Sequence, residues 1–341
     1  MDSDSASFLS ENGTADAFVS PSGGNFYCLP ATKLLHILTS YNIMNAYLLL
    51  VFLIHLTAPV AANNERYFRE DGSEIRYYLD NANSENLLVI FQGSDCNSVR
   101  KMESVNTIWE AFDPDSALLS IEKYGIDDNL PYVAGERDDC PADYLEHNTM
   151  AQRIEDGVQL IEALRHSYHE ISLAGGSEGG SIALGVATQI PNLSAVLALN
   201  SGSSSFQHDI EFSIQKTVPT MQLDEILYGF RQFVRQIKNS DEPFPTEVSG
   251  HGYAFWKDAL ARDLLKPLKE IEAPVLVMQS IDDESVDPEQ TRQEVEQIIA
   301  GGAKNVTLKV IPGLDHGFRD SSGTSRLREQ IEYAAKFIKS E

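Results

Sequence analysis

Six short apolar runs, most of them closing on a glycine, constrain this chain more than any other feature. They are NLLVIFQG (86–93), ALLSIEKYG (117–125), HEISLAGG (169–176), SAVLALNSG (194–202), APVLVMQSI (273–281) and NVTLKVIPG (305–313). Each is too short for a core helix, and most do not alternate apolar with polar residues as a half-solvated strand does; NVTLKVIPG is the run that does. Such runs read as strands buried on both faces. Helical spacing fills the gaps: Met150, Ile154, Val158, Ile161 and Leu164; GSIALGVATQI, stopped by Pro191; a segment from Pro288 to Ala300; and Leu327, Ile331, Ala334 and Phe337. ERYFRED and EIRYYLD, joined by an Asp-Gly turn, predict an antiparallel hairpin ahead of the first run. Alternation of this kind predicts an α/β fold with a mostly parallel central sheet of about eight strands and helices on both faces.

One interval breaks the rhythm. Between Gly202 and Pro274 no core strand occurs, and the gap far exceeds an ordinary connection. Leu223, Ile226, Leu227, Phe230, Phe233, Val234 and Ile237 share one helical face, and YAFWKDALARDLLKPL predicts another helix. The reading is a helical cap inserted over 204–270, the alternative being a set of ordinary crossover helices. Phe255 and Trp256 either line a pocket beneath the cap or pack within it.

ISLAGGSEGGSIAL (171–184) places Ser177 in a G-x-S-x-G pattern between the third run and a helix. The pattern is weak by itself, since glycine and serine are common. A strand-to-helix turn strengthens it, because such a turn lifts the serine hydroxyl above the sheet and sets helix N–H groups beside developing negative charge. A serine hydroxyl is a poor nucleophile without a base, and the base needs an orienting acid. Acidic residues follow the fifth run in SIDDESVD, and His316 follows the sixth in GLDHGF. The remaining histidines, among them His147, His166, His169, His208 and His251, have no such motif, and Asp315 and Asp320 read as surface or loop-capping carboxylates.

From about Glu65 onward these motifs resemble the α/β-hydrolase superfamily, in particular its secreted esterases and prolyl-oligopeptidase-like peptidases. The family's G-x-x-H-x-F is matched by Gly313, His316 and Phe318. Its G-x-x-D-x-x-V-P aligns on Val286 and selects Asp283 over Asp282, with Ser280 and Asp287 replacing the Gly and Pro. The resemblance implies a serine hydrolase with the triad Ser177, Asp283 and His316, and an oxyanion hole from the backbone N–H groups of Glu178 and Ser94. In the loop that carries Ser94, Gln92 replaces the family's His. The resemblance further implies an ester or thioester substrate, with short peptides as the alternative, and neither cofactor nor metal. A non-catalytic binding protein on the same fold is the third reading; such proteins usually lack a triad member, and this chain keeps all three.

Residues 1–62 read differently. The first thirty are rich in Ser, Asp, Gly and Asn with no apolar period, and an apolar stretch over 46–56 precedes the small residues Val60, Ala61 and Ala62. That is the pattern of a signal peptide cleaved after Ala62, with translation starting at Met44. It predicts a secreted or periplasmic protein of residues 63–341; the alternative is an uncleaved anchor over 34–58. With Cys28 in the leader, Cys96 and Cys140 remain, either as a disulfide or as two buried thiols. The chain carries 51 acidic against 26 basic residues, a net charge of −25, which repels phosphate backbones and anionic lipid and so excludes nucleic acid as a partner.

Overall fold

The computed structural model describes residues 66–339 apart from 136 and 138. The predicted leader, Met44 and Cys28 lie outside the described residues. Strands β1 (Tyr67–Phe68) and β2 (Glu74–Ile75) form a hairpin closed at Gly72, whose φ of 83° suits a residue without a Cβ. The predicted second hairpin strand is divided in two. At Arg76 the chain leaves the hairpin, and β3 (Tyr77–Asp80) joins the main sheet.

That sheet has seven strands in the order β3-β5-β4-β6-β7-β8-β9, formed with β4 (Asn86–Phe91), β5 (Ala117–Ile121), β6 (Glu170–Gly176), β7 (Ala195–Leu199), β8 (Val275–Ser280) and β9 (Val306–Ile311). The six predicted runs are its six parallel strands, and only β3 runs antiparallel, against β5. The predicted count of about eight falls to seven because the first hairpin pairs only with itself.

Successive residues of a strand point to opposite faces, and the core divides accordingly. Leu87, Val89 and Phe91 of β4 face one layer, built on α3 (Met150–Leu164), α4 (Glu178–Ala187) and α8 (Pro288–Ala300). Leu88 and Ile90 face the other, built on α1 (Glu103–Phe112) and α9 (Leu327–Ile338). Both faces of the sheet are thus covered, which explains why its central strands are apolar without alternating, whereas β9 at the edge is half-buried and alternates. A short helix α2 (Ala142–His147) lies between β5 and α3.

The long interval after β7 holds α5 (Phe206–Thr217), α6 (Thr220–Asn239) and α7 (Tyr253–Ala259). The helix predicted over YAFWKDALARDLLKPL is shorter than expected. The α-helix stops at Ala259, and a single 3₁₀ turn, Lys266–Lys269, follows. Asp263 Oδ1 accepts from the backbone N of Leu265 and Lys266 at 3.1 and 3.0 Å, so its side chain opens the 3₁₀ turn in place of continued helical bonding. Phe255 and Trp256 are almost wholly buried and share the core of the sheet's α3/α4 face, with Trp256 Nε1 donating to the Val248 carbonyl at 3.2 Å.

Candidate active site

The C-terminal ends of the parallel strands bring the chemistry together, as an open α/β sheet does where its strand order reverses. Ser177 follows β6, the Gln92–Ser94 loop follows β4, Asp283 follows β8 and His316 follows β9. Ser177, Glu178, Gly93, Ser94 and His316 line one cavity of ≈ 820 Å³.

Ser177 adopts φ 55° and ψ −132°, a region that costs a residue with a Cβ about 1–3 kcal/mol. Tight packing enforces this geometry. A Cβ at Gly175 would stand 2.1 Å from the Gly179 carbonyl oxygen, and one at Gly179 would stand 2.1 Å from that of Phe91. The strand, turn and helix therefore approach more closely than any side chain permits. Ser177 N donates to the Leu199 carbonyl at 2.8 Å, tying the turn to β7.

His316 Nδ1 lies 2.8 Å from Asp283 Oδ2. A carboxylate can only accept, so Nδ1 is the donor of this contact, and in the neutral imidazole the lone pair then lies on Nε2. Asp283 is fully buried at its side chain. Its Oδ1 accepts from the backbone N of Ser285 and Val286 at 2.8 and 3.0 Å, which keeps a charged group satisfied out of water. Of the two adjacent aspartates, Asp283 is the one beside His316, while Asp282 is exposed.

A further residue, not singled out by the motifs, holds this loop. Asn200, at φ 45°, donates from Nδ2 to the His316 carbonyl at 2.8 Å, and its Oδ1 accepts from Ser280 N at 2.7 Å. It thereby fixes the ends of β7, β8 and the histidine loop to one another. Its place as the polar residue directly after β7, near the end of the fourth run, is the signal that marks it.

The loop after β4 is held from all sides. Gln92 Nε2 donates to Asp95 Oδ1 at 2.7 Å and to the Asn97 carbonyl at 3.1 Å, so the Gln in place of a His braces the loop internally. Cys96 and Cys140 are joined in a disulfide with Cα atoms 5.7 Å apart, which resolves the alternatives left by the sequence. Its reduction frees a segment spanning 44 residues. Chain entropy then predicts a loss of about 4 kcal/mol, read as a lower urea midpoint in the presence of reductant.

Behind the turn, Arg153 of α3 pairs with the Glu178 carboxylate and donates through Nη2 to the Gln92 carbonyl at 2.7 Å. Burial disfavours the Glu178 charge, but Arg153 and Lys123 outweigh it and hold the carboxyl below its usual range. His251, stacked on Phe255 with centroids 3.7 Å apart, is pushed down to about 4 by burial and is neutral at physiological pH. Its Nδ1 lies 3.2 Å from the Tyr144 hydroxyl. Asp209 of α5, pushed up to about 6 by burial, accepts from the backbone N of Ser203 and Asp287 at 2.9 and 3.0 Å. Among the described residues no cluster of three or more His, Cys, Asp or Glu is placed to hold a metal ion.

The prolyl oligopeptidase family model matches residues 226–341, the part that carries Asp283 and His316. No curated protein matches the sequence. Among solved structures, the chain is similar to the esterase Est1E from Butyrivibrio proteoclasticus at 18% identity and a TM-score of 0.52, covering 80% of this chain and 97% of that one. The Pyrococcus furiosus esterase Pf2001 is similar at 13% identity and a TM-score of 0.52, with 82% and 91% covered. A Mycobacterium tuberculosis puromycin-hydrolyzing peptidase matches at 16% identity and a TM-score of 0.50, with 81% of this chain but 39% of that one. These likenesses, all below 25% identity, show that the chain has the α/β-hydrolase fold.

Proposed function

We propose that this chain is a serine hydrolase that cleaves an ester or thioester of a small, largely apolar substrate through an acyl-enzyme. The observation that carries the reading is a strained serine on a strand-to-helix turn, sharing a cavity with a histidine whose Nδ1 is bound to a buried carboxylate. In this reading Ser177 Oγ attacks the carbonyl carbon while His316 Nε2 takes its proton. Asp283 holds the imidazole tautomer and stabilises the imidazolium that forms. The N–H groups of Glu178 and Ser94 receive the oxyanion, and His316 returns the proton to the leaving group. Water then repeats the sequence on the acyl-enzyme with His316 again as base.

The cavity lining supports apolar substrate groups. Met102, Val105 and Ile108 form one side, and Phe206, Ile210 and Ile214 of α5 another, which supports a cap role for the inserted helices. A peptidase acting on short peptides is the second reading, favoured by the family match over 226–341. Recognition of a peptide's free ammonium needs an available carboxylate. Among the described lining residues, Glu178 is tied to Arg153 and both oxygens of Asp209 accept backbone N–H groups. That leaves Asp95, which is half-buried and whose Oδ1 already accepts from Gln92 Nε2 and Asn97 N, and so supports esters over amino-terminal peptides. Comparing p-nitrophenyl esters with aminoacyl-naphthylamides tests it. The ester reading expects kcat/KM at least about 100-fold higher on short-chain esters, a gap of about 2.7 kcal/mol; the reverse order overturns it. The disulfide also supports a location outside the reducing cytosol, in keeping with the leader read over 44–62.

A further inference from the structure

β5 is followed by Glu122 and Lys123, both buried, and both reach across to the loop at 93–99. Lys123 Nζ donates to the Gly93 carbonyl at 2.5 Å and also to the Asp95 carbonyl. Glu122 accepts from the Ser98 hydroxyl at 2.5 Å and from Val99 N at 3.0 Å. Lys123 is not part of the cavity lining, whereas Gly93, Ser94 and Asp95 are. The lysine therefore grips the loop from behind.

A trans peptide group is planar, and its C=O and N–H point in opposite directions. Turning the Gly93 carbonyl back toward Lys123 turns the Ser94 N–H of the same peptide unit toward the cavity. That unit stands against the nucleophile, since a Cβ at Gly93 would lie 3.4 Å from Ser177 Cβ. We propose that Lys123 is a positioning residue that aims the Ser94 amide at the oxyanion and, by its charge on the carbonyl, strengthens that amide as a donor. Polarisation along a hydrogen-bonded chain in a low-dielectric site supplies the strengthening. The inference rests on the proposed serine-hydrolase function.

The charges facing Lys123 are Asp95 from the loop, Glu122 beside it, Arg153 from α3 and Glu178 from α4; the neutral, titratable His251 also interacts with it, and the Tyr144 ring of α2 lies 5.9 Å away. Burial pushes Lys123 down from 10.5 to about 8, with Asp95 opposing. Its charge is therefore lost as the pH rises through about 8. Because the folded value lies below the unfolded one, the unfolded chain binds more protons between those two values, and stability rises with pH there. A fall in kcat over that interval thus runs against the effect of this lysine on stability.

The test compares wild type, Lys123→Met and Lys123→Arg on a p-nitrophenyl ester from pH 6 to 10, with Tm followed at each pH. Lys123→Met is expected to lower kcat about 10- to 100-fold with KM within about twofold, short of the full loss of an oxyanion donor. Lys123→Arg stays charged, retains most of kcat and lacks the alkaline fall seen in wild type. The inference is overturned by a folded Lys123→Met with wild-type kcat. If Lys123→Met does not fold, Lys123→Arg decides: an alkaline fall identical to wild type overturns it. A folded wild type without esterase activity overturns the proposed function itself, and the inference with it.

Discussion

Ser177→Ala is expected to lower kcat for ester hydrolysis by about 10⁴- to 10⁶-fold, with the fold intact. In the proposed mechanism the loss is large because Ser177 is the nucleophile, and because His316 and Asp283 act only through it. The same position carries a second, opposite expectation. Ser177 sits at φ 55°, ψ −132°, where a Cβ is strained. Ser177→Gly removes the Cβ and is expected to raise stability by about 1 kcal/mol, the relief of strain exceeding the added freedom of the unfolded chain. An inactive variant more stable than wild type would show that the turn holds its serine at a cost; steady-state kinetics and urea midpoints on the two variants read both effects.

The buried pair behind the turn gives the largest expected effect on stability. Arg153 and Glu178 are each almost fully buried, and Arg153 also satisfies the Gln92 carbonyl. Arg153→Met takes the ion-pair partner from a buried carboxylate beneath the candidate active site, leaving only the more weakly acting Lys123, and is expected to cost about 3–5 kcal/mol. Adding Glu178→Met removes that stranded charge and should recover at least half of the loss. The Glu178 backbone N–H survives both changes, so the double variant should retain measurable esterase activity. Urea midpoints of the single and double variants check the first claim, and kcat checks the second. A double variant no more stable than Arg153→Met would mean that the salt bridge is not what the arginine supplies.

The legible part of this protein is the part set by local pattern. Six apolar runs became six parallel strands: burial on both faces demands near-continuous apolarity in the central ones, while β9, at the sheet's edge, alternates and is half-buried. Ser177, Asp283 and His316 stood out because each sits in a turn directly after its own strand, with a short motif around it. Where a neighbouring residue decided, the reading was less complete. Asp263 opens the turn that replaces the end of the expected helix through its own side chain, and the early hairpin hands its second half to the main sheet at Arg76. The supports of the site were least legible. Lys123, Arg153 and Glu122 act on a loop 23 to 61 positions away, through contacts that exist only once β5, α3 and the loop have packed. No spacing within any one segment encodes them. Cys96 and Cys140 were visible as a pair, but their bond required the loop and the segment around 140 to meet.

The central claim is that Ser177 is a nucleophile activated by His316 and Asp283. Labelling the folded protein with a fluorophosphonate and mapping the adduct by peptide mass spectrometry tests it most directly. The account predicts a single adduct on the peptide carrying Ser177, absent in Ser177→Ala and slowed strongly in His316→Ala. A folded wild type that takes no label, or a Ser177→Ala variant that labels equally well, would contradict it.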